Sequence, residues 1–224
     1  MPIISHTYRA AIFDLDGTLI DSLEDLADSA NAMLKSYGFP THPVDPYRYF
    51  VGNGSRKLIE RCLPKEQGSD PAFVDEALAR YKDIYAQHTQ DKTHVYDGIP
   101  DMLAELQKRH IPLGICTNKH QSAAEDIVSA MFPAGTFESV MGDQKGLPRK
   151  PDPKKVLMIA ESFGVAPADV AYFGDTSVDM DTAHNAGFLP VGVLWGFRPK
   201  EELVEHGAKV LLETPMELFE HVDF

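Results

Sequence analysis

The sequence is poor in cysteine and contains no long hydrophobic run. Its two cysteines, Cys62 and Cys116, form neither a CxxC pair nor a disulfide framework, and such cysteine usage is typical of a reducing compartment. No apolar stretch approaches the ~20 residues that a membrane-spanning helix needs. The opening "MPIISHTYRAAIF" lacks the charged and apolar regions of a signal peptide. We therefore expect a cytoplasmic protein.

Basic residues are also few. The chain has 21 Lys and Arg against 34 Asp and Glu, which gives a formal net charge of −13. Such a charge repels nucleic acids and anionic membrane surfaces, and no basic stripe offsets it, so we expect neither kind of partner. A small anionic substrate would need locally clustered lysines or a bound metal. Nothing in the sequence specifies an oligomeric state.

The pattern of apolar residues divides the chain into three parts. "RAAIFDLD" predicts a short buried strand that an Asp-Gly turn ends. Residues 21–92 show apolar residues at helical spacing and no strand pattern, whereas from residue 93 onward short apolar strands alternate with helices. This alternation predicts an α/β fold, a Rossmann-like parallel sheet with helices on both faces, built from residues 1–20 and 93–224. Residues 21–92 would form a small inserted α-helical cap.

Polar side chains follow the predicted strands, where an open parallel sheet binds its ligands. They are Asp14, Asp16 and Thr18 after the first strand, Thr117, Asn118 and Lys119 after "PLGIC", Lys150 in "RKPDP", and Asp175, Thr176 and Asp179 after "VAYF". These groups suit phosphoryl transfer through a covalent aspartyl phosphate, because one carboxylate can attack phosphorus while another transfers a proton. Clustered carboxylates also favour a divalent cation that prefers oxygen ligands, such as Mg²⁺.

Four segments in order, "DLDGT", "TN", the lysine of "RKPDP" and "GDTSVD", resemble the motifs of the haloacid dehalogenase superfamily. The resemblance implies that Asp14 is the nucleophile and a metal ligand, and that Asp16 is the general acid/base and binds the metal through its backbone carbonyl. It also implies metal ligation by Asp175 with support from Asp179. By the same resemblance, the phosphate would be held by Thr117, Asn118 and Lys150, and residues 21–92 would be the superfamily's small helical cap.

Finer details resemble the phosphoglycolate phosphatases within that superfamily, namely "DGTLIDS", "VGNG", "TNK", "GDTSVDM" and "WGF". We therefore predict a Mg²⁺-dependent phosphatase for a small phosphorylated metabolite, with phosphoglycolate favoured. Thr18 and Arg56 are further candidates for substrate binding. Thr18 stands where the related sugar-phosphate mutases usually carry Val, whereas the Ser-Arg pair of "GNGSRK" resembles the cap loop of those mutases. Arg56 could reach a second anionic group.

Two other functions stay open. A phosphosugar mutase would keep the same nucleophile but return the phosphoryl group to the sugar. A phosphate-receiving signalling domain also combines acidic residues, Thr and Lys on a parallel sheet, but it has no counterpart of residues 21–92. Among individual residues, Lys119 is either a neighbour of the phosphate site or a solvated lysine, and Tyr81 and Tyr85 are predicted to lie in the core of the cap.

Overall fold

The computed structural model describes residues 6–224. Within them eight strands follow one another, namely β1 (Ala10–Phe13), β2 (Ile20–Asp21), β3 (His94–Val95), β4 (Leu113–His120), β5 (Ser139–Asp143), β6 (Val170–Gly174), β7 (Leu189–Val193) and β8 (Val210–Leu212). The α-helices of the same residues are α1 (Leu23–Ser36), α2 (Tyr47–Phe50), α3 (Ser55–Cys62), α4 (Lys65–Gly68), α5 (Pro71–Tyr85), α6 (Ile99–Lys108), α7 (Gln121–Met131), α8 (Lys154–Ser162), α9 (Ser177–Ala186), α10 (Lys200–Glu205) and α11 (Leu218–His221). None of these helices has the length and apolar character needed to cross a bilayer.

Six strands form one parallel sheet in the order β5-β4-β1-β6-β7-β8. Successive residues of β1 point to opposite faces, as the pleat of a strand requires. Ala11 and Phe13 pack with residues of α6 and α7, whereas Ala10 and Ile12 pack with residues of α8 and α9. Helices therefore cover both faces, which explains why the strands are apolar throughout.

The helices α1 to α5, residues 23–85, form a second layer with its own apolar core, which we call the helical layer. Buried residues of α1, α3 and α5 form that core, including Leu34, Ile59 and Tyr81. Asp70 begins α5 by accepting a hydrogen bond from Ala72 N at 2.9 Å, and Pro71 occupies its first turn. Strands β2 and β3 pair antiparallel at the base of the layer.

The predicted fold class is confirmed: the chain is an α/β protein with a parallel sheet between helices. The short helices α2, α4 and α10 and the two-residue strands β2 and β3 were not predicted, because elements of two to six residues are too short to show a period. The assignment of residues 21–92 to a cap domain stays a prediction. Its lower boundary falls within the β2 strand, since Asp21 pairs with His94, and residues 1–5 of the predicted core lie outside the described part of the chain.

Candidate active site

Asp14 follows β1 directly, at the centre of the sheet. Its backbone N–H continues the strand pairing by donating to Phe173 O at 2.9 Å. Gly17 then turns the chain with a φ of 82°, and a side chain at this position would collide with the Asp175 carboxylate. The Asp-Gly turn thus brings the end of β1 into close contact with the end of β6.

Three buried carboxylates meet at this point. One oxygen each of Asp14, Asp175 and Asp179 lie within 4.8 Å of one another. Asp175 accepts hydrogen bonds from Thr18 Oγ1 at 3.1 Å and from Phe197 N at 2.9 Å. Asp14 and Thr18 lie far in sequence from Asp175, so the cluster forms only in the folded chain.

Asp179 lies in the first turn of α9 and has a role in the structure of that helix. Its Oδ2 accepts from Thr176 N and Thr176 Oγ1 at 3.1 and 2.7 Å, while Thr176 begins the helix in a reciprocal capping box. Its Oδ1 lies 2.7 Å from Lys150 Nζ. Both oxygens of Asp179 therefore already have donors.

Lys150 is the counter-charge of the cluster. Its Nζ lies 2.9 Å from Asp14 Oδ1 and 2.7 Å from Asp179 Oδ1, and it donates to Tyr172 Oη at 3.0 Å. Asn118 fixes the lysine backbone, because its Oδ1 accepts from Lys150 N at 2.9 Å and its Nδ2 donates to Lys150 O at 3.2 Å. The end of β4 thereby holds the lysine against the aspartates.

Burial and mutual repulsion govern the protonation of this cluster. Burial raises the pKa of Asp14 to about 6, with Lys150 opposing the shift and Asp179 adding to it. Burial also raises the pKa of Asp175 well above its usual value, and Asp179 and Asp14 raise it further. Burial by itself would lower the pKa of Lys150, but Asp14 and Asp179 outweigh it and hold that pKa well above its usual range. Lys150 is therefore an ammonium ion.

The cluster is suited to a divalent cation. Asp14 Oδ1 is buried and accepts no hydrogen bond from residues 6–224, since Lys150 Nζ approaches outside hydrogen-bond geometry. A cation would satisfy this oxygen and offset the repulsion among the three carboxylates. Converging carboxylate oxygens are the ligands that Mg²⁺ prefers, whereas nitrogen and sulfur ligands typical of zinc are absent from this group of three aspartates.

Asp16 lies apart from the three-aspartate cluster and has its own partners. Ser22 Oγ donates to Asp16 Oδ1 at 2.5 Å, and Lys119 Nζ lies 2.9 and 3.2 Å from its two oxygens. Lys119 also lies over the ring of Tyr85, 4.8 Å from the ring centroid. Burial opposes the charge of Lys119, but Asp16 raises the pKa of this lysine above its usual value, so it is charged as well.

A cavity of about 320 Å³ lies between the sheet edge and the helical layer. The sheet side contributes Asp14, Asp16, Thr117, Asn118 and Lys119, and the helical layer contributes Leu26, Leu58, Tyr81, Lys82 and Tyr85. Thr117 Oγ1 accepts a hydrogen bond from Lys119 N at 3.1 Å, which leaves its own proton free to donate. The cavity is large enough for a small metabolite.

The structure brings together most of the residues that the sequence singled out. Asp14, Asp175, Asp179 and Lys150 form one contact group, and Asp16, Thr117 and Asn118 line the adjoining cavity. Thr18 contacts Asp175 rather than the cavity. Asn118 uses its amide on backbone groups, since Nδ2 also donates to Gly52 O at 3.1 Å.

Arg56 is a predicted site residue that the structure brings neither to the cavity nor to the aspartate cluster. Its guanidinium pairs with Asp75 and lies 3.3 Å from Glu60 on the outer surface of the helical layer. The loop of residues 52–54 before it does reach the cavity through Gly52 and Gly54. Because Arg56 lies inside α3, its direction is set by the helix and not by the loop.

Sequence reasoning missed three contributors. Ser22 contacts Asp16, Tyr172 accepts the hydrogen bond of Lys150, and Tyr85 lines the cavity in addition to packing in the helical layer. Tyr81 and Tyr85 show the i, i+4 spacing of a buried stripe, and their hydroxyls were the only sign that this stripe could have a polar role. Lys119, left open between two interpretations, has a side chain only 6% exposed and pairs with Asp16.

Comparison with known proteins gives the family. Residues 11–193 match the family described as haloacid dehalogenase-like hydrolase, so the chain belongs to that family. It is 33% identical over 210 residues to a phosphoglycolate phosphatase of Pseudomonas putida, covering 92% of this chain and 74% of the relative. It is also 34% identical over 197 residues to a phosphoglycolate phosphatase of Psychrobacter arcticus, covering 86% of each.

A solved structure is similar over most of the chain. The putative phosphoglycolate phosphatase of Lactobacillus delbrueckii subsp. bulgaricus superposes with a TM-score of 0.89 at 30% identity, covering 96% of this chain and 98% of the other. The resemblance seen in the sequence, to the haloacid dehalogenase superfamily and to phosphoglycolate phosphatases within it, is therefore confirmed. The prediction that the chain is an enzyme, a hydrolase, is confirmed with it.

Proposed function

We propose that this chain is a Mg²⁺-dependent phosphatase that hydrolyses small phosphate monoesters, with phosphoglycolate as the favoured substrate. The observation that carries the proposal is the buried group of Asp14, Asp175, Asp179 and Lys150 at the edge of a cavity of about 320 Å³. Several relatives named phosphoglycolate phosphatase support the choice of substrate. The cavity volume agrees with a substrate of a few carbon atoms.

Asp14 is the proposed nucleophile. It lies at the end of the central strand and faces the cavity, so a phosphate ester bound there can be attacked at phosphorus to form an aspartyl phosphate. Mg²⁺, when bound by Asp14, Asp175 and the backbone carbonyl of Asp16, with support from Asp179, supplies positive charge that offsets the repulsion between carboxylate and phosphate. Lys150 adds charge beside Asp14, and Thr117 offers a hydroxyl proton to a phosphoryl oxygen.

Asp16 is the proposed general acid and base. It lines the cavity beside Asp14 without joining the three-carboxylate cluster, so it can reach the leaving oxygen of a bound ester. It would give a proton to the leaving oxygen of the substrate and later take a proton from the water that hydrolyses the aspartyl phosphate. Ser22 fixes the direction of its carboxylate.

The test is release of inorganic phosphate from a panel of small phosphate esters, with and without Mg²⁺, by the wild type and by Asp14→Asn. We expect turnover only with Mg²⁺, and a fall of about 10⁴-fold or more in kcat for Asp14→Asn, as for other covalent nucleophiles. Asp126→Asn is the matched control, because Asp126 lines the same cavity from α7 and has no proposed role.

Other outcomes would contradict the proposal. An equal fall of kcat in Asp14→Asn and Asp126→Asn would show that Asp14 is not the nucleophile. Turnover that needs a sugar bisphosphate and releases no free phosphate would favour the mutase. A stable phosphoprotein without turnover would favour the signalling domain.

A further inference from the structure

Two lysines line the cavity, and they differ in their surroundings. Lys82 lies on α5 and is exposed, whereas the Lys119 side chain is only 6% exposed and sits at the end of β4, directly after Thr117 and Asn118. A lysine this buried has lost most of its hydration, so an anion that reaches it gains more than at a solvated lysine. Lys119 is therefore the stronger anion site of the two.

The ion-pair partner of Lys119 indicates which part of a substrate Lys119 would contact. Lys150 contacts Asp14 and Asp179, on the side of the attacking carboxylate, whereas Lys119 contacts both oxygens of Asp16. Asp16 is the proposed proton donor to the leaving oxygen. A cation that touches Asp16 consequently lies next to the leaving group and not next to the transferred phosphoryl group.

Tyr85 adds a second group at the same place. Its ring centroid lies 4.8 Å from Lys119 Nζ, and Tyr85 reaches the cavity from the helical layer. Its hydroxyl is buried and has no hydrogen-bond partner among residues 6–224. A buried hydroxyl without a partner is costly, which indicates a ligand that completes it.

We propose that Lys119, with the Tyr85 hydroxyl, binds a carboxylate carried by the leaving group of the substrate, and so selects phosphate esters of short hydroxy acids. The inference rests on the proposed phosphatase function and deepens it. In phosphoglycolate the carboxylate carbon is two bonds from the ester oxygen, so one molecule can place that oxygen at Asp16 and its carboxylate at Lys119. The bound carboxylate replaces Asp16 as the ion-pair partner of the Lys119 ammonium group. Asp16 is then available for proton transfer.

The experiment compares phosphoglycolate with its neutral amide, which has nearly the same shape and lacks the carboxylate charge. The quantity measured is the ratio of kcat/KM for the acid to kcat/KM for the amide, in the wild type, Lys119→Met, Lys119→Arg and Lys82→Met. Loss of one partner from a buried charge pair predicts that the ratio falls about 30-fold or more in Lys119→Met. It should fall less in Lys119→Arg and stay within about two-fold of the wild-type ratio in Lys82→Met, because that lysine is solvated. Tyr85→Phe should lower the ratio several-fold, about the effect of one hydrogen bond.

Three results would overturn the inference. An equal fall for acid and amide in Lys119→Met would mean that Lys119 only positions Asp16. A wild-type ratio near one would mean that no carboxylate is selected, although the phosphatase would stand. A collapse of the ratio in Lys82→Met alone would assign the carboxylate to the other lysine.

Binding calorimetry on the wild type and Lys119→Met distinguishes failure of the proposed phosphatase function from failure of the proposed carboxylate site. It measures the affinity for phosphoglycolate and for its amide. If no ester is hydrolysed but the wild type binds phosphoglycolate more tightly than the amide and Lys119→Met does not, the phosphatase fails and the carboxylate site remains. If neither turnover nor selective binding is found, both proposals fail. Activity with the amide, or an unchanged thermal midpoint, shows that each variant is folded.

Discussion

The sheet edge and the helical layer line the same cavity with different kinds of side chain. The sheet edge presents charged groups, Asp14, Asp16 and Lys119, and each is fixed by strand ends or by hydrogen bonds. The helical layer presents mainly apolar surface and the phenol groups of Tyr81 and Tyr85. Under the proposed function, the sheet edge would supply the charged groups and the helical layer would set the shape of the ligand.

Several hydrogen bonds join the two regions. Arg198 donates to the carbonyls of Arg48 and Val51, Arg48 donates to Gly196 O at 3.3 Å, and Asn118 donates to Gly52 O at 3.1 Å. All of these bonds end on backbone carbonyls. The two regions have separate apolar cores, so we expect them to differ in local stability.

The largest expected effect comes from removing the charge that balances the sheet edge. Lys150→Met leaves buried carboxylates without their counter-charge, which costs about 3–5 kcal/mol of unfolding free energy and lowers the thermal midpoint by about 10 °C in a chain of this length. Phosphate release should fall below detection. Scanning calorimetry checks the midpoint, and the exposed Lys154→Met, which should change neither, is the control. An unchanged midpoint in Lys150→Met would show that the buried carboxylates are neutral through protonation and do not depend on the charge of Lys150.

The second largest effect is expected from addition of Mg²⁺, which should stabilise the sheet edge. A ligand at 100 times its dissociation constant adds about 2.7 kcal/mol, which for this length corresponds to a rise of roughly 5–10 °C in the thermal midpoint. Asp175→Asn removes one proposed ligand and should abolish most of the rise. If Mg²⁺ stabilises wild type and Asp175→Asn equally, the cation binds elsewhere.

The two cysteines allow the stability of the two regions to be compared directly. Cys62 lies in the core of the helical layer and Cys116 in the core of the sheet, and burial raises their thiol pKa values to about 12 and about 11. Neither thiol should react with an alkylating reagent near pH 8 until its region opens. We expect Cys62 to react first, because the smaller layer opens at lower cost.

A matched pair of substitutions sharpens this comparison. Ile59 and Ile159 are both fully buried, the first with Cys62 and the second with Cys116. Each change to Val costs about 1 kcal/mol, which is about a five-fold increase in opening. Ile59→Val should speed the labelling of Cys62 alone. Equal acceleration of both thiols by Ile59→Val would show that the two regions open as one unit.

The smallest effect is expected on the outside of the helical layer. Arg56→Gln breaks surface ion pairs with Asp75 and Glu60, which are worth below about 1 kcal/mol after screening by solvent. Because Arg56 does not line the cavity, kcat/KM of Arg56→Gln should stay within about two-fold of the wild-type value. A substitution at a surface residue away from the site is expected to have only a small effect. A large rise in KM would show that Arg56 turns toward substrate and would restore the prediction made from the sequence.

Much of the sheet edge was predictable because its residues stand at strand ends or, for Lys150, in the connection that follows a strand. Short apolar strands indicate a parallel sheet, and such a sheet brings together whatever follows its strands, so Asp14, Lys150 and Asp175 could be grouped without coordinates. The direction of a side chain on a helix or loop was not predictable in this way. Arg56 turned away from the cavity, and Tyr85, which the apolar stripe placed in the core, also reaches the cavity; both follow from how α3 and α5 pack.

The order of strands and helices, the parallel sheet and the set of acidic and basic residues at its edge were determined by the sequence itself, because apolar periodicity and strand-end position are local properties. The partner of each charge was decided only by the tertiary structure. Asp16 faces Lys119, which is 103 residues away, and Lys150 joins Asp14 to Asp179. Such pairings depend on the distances between elements after packing, and no local pattern contains those distances.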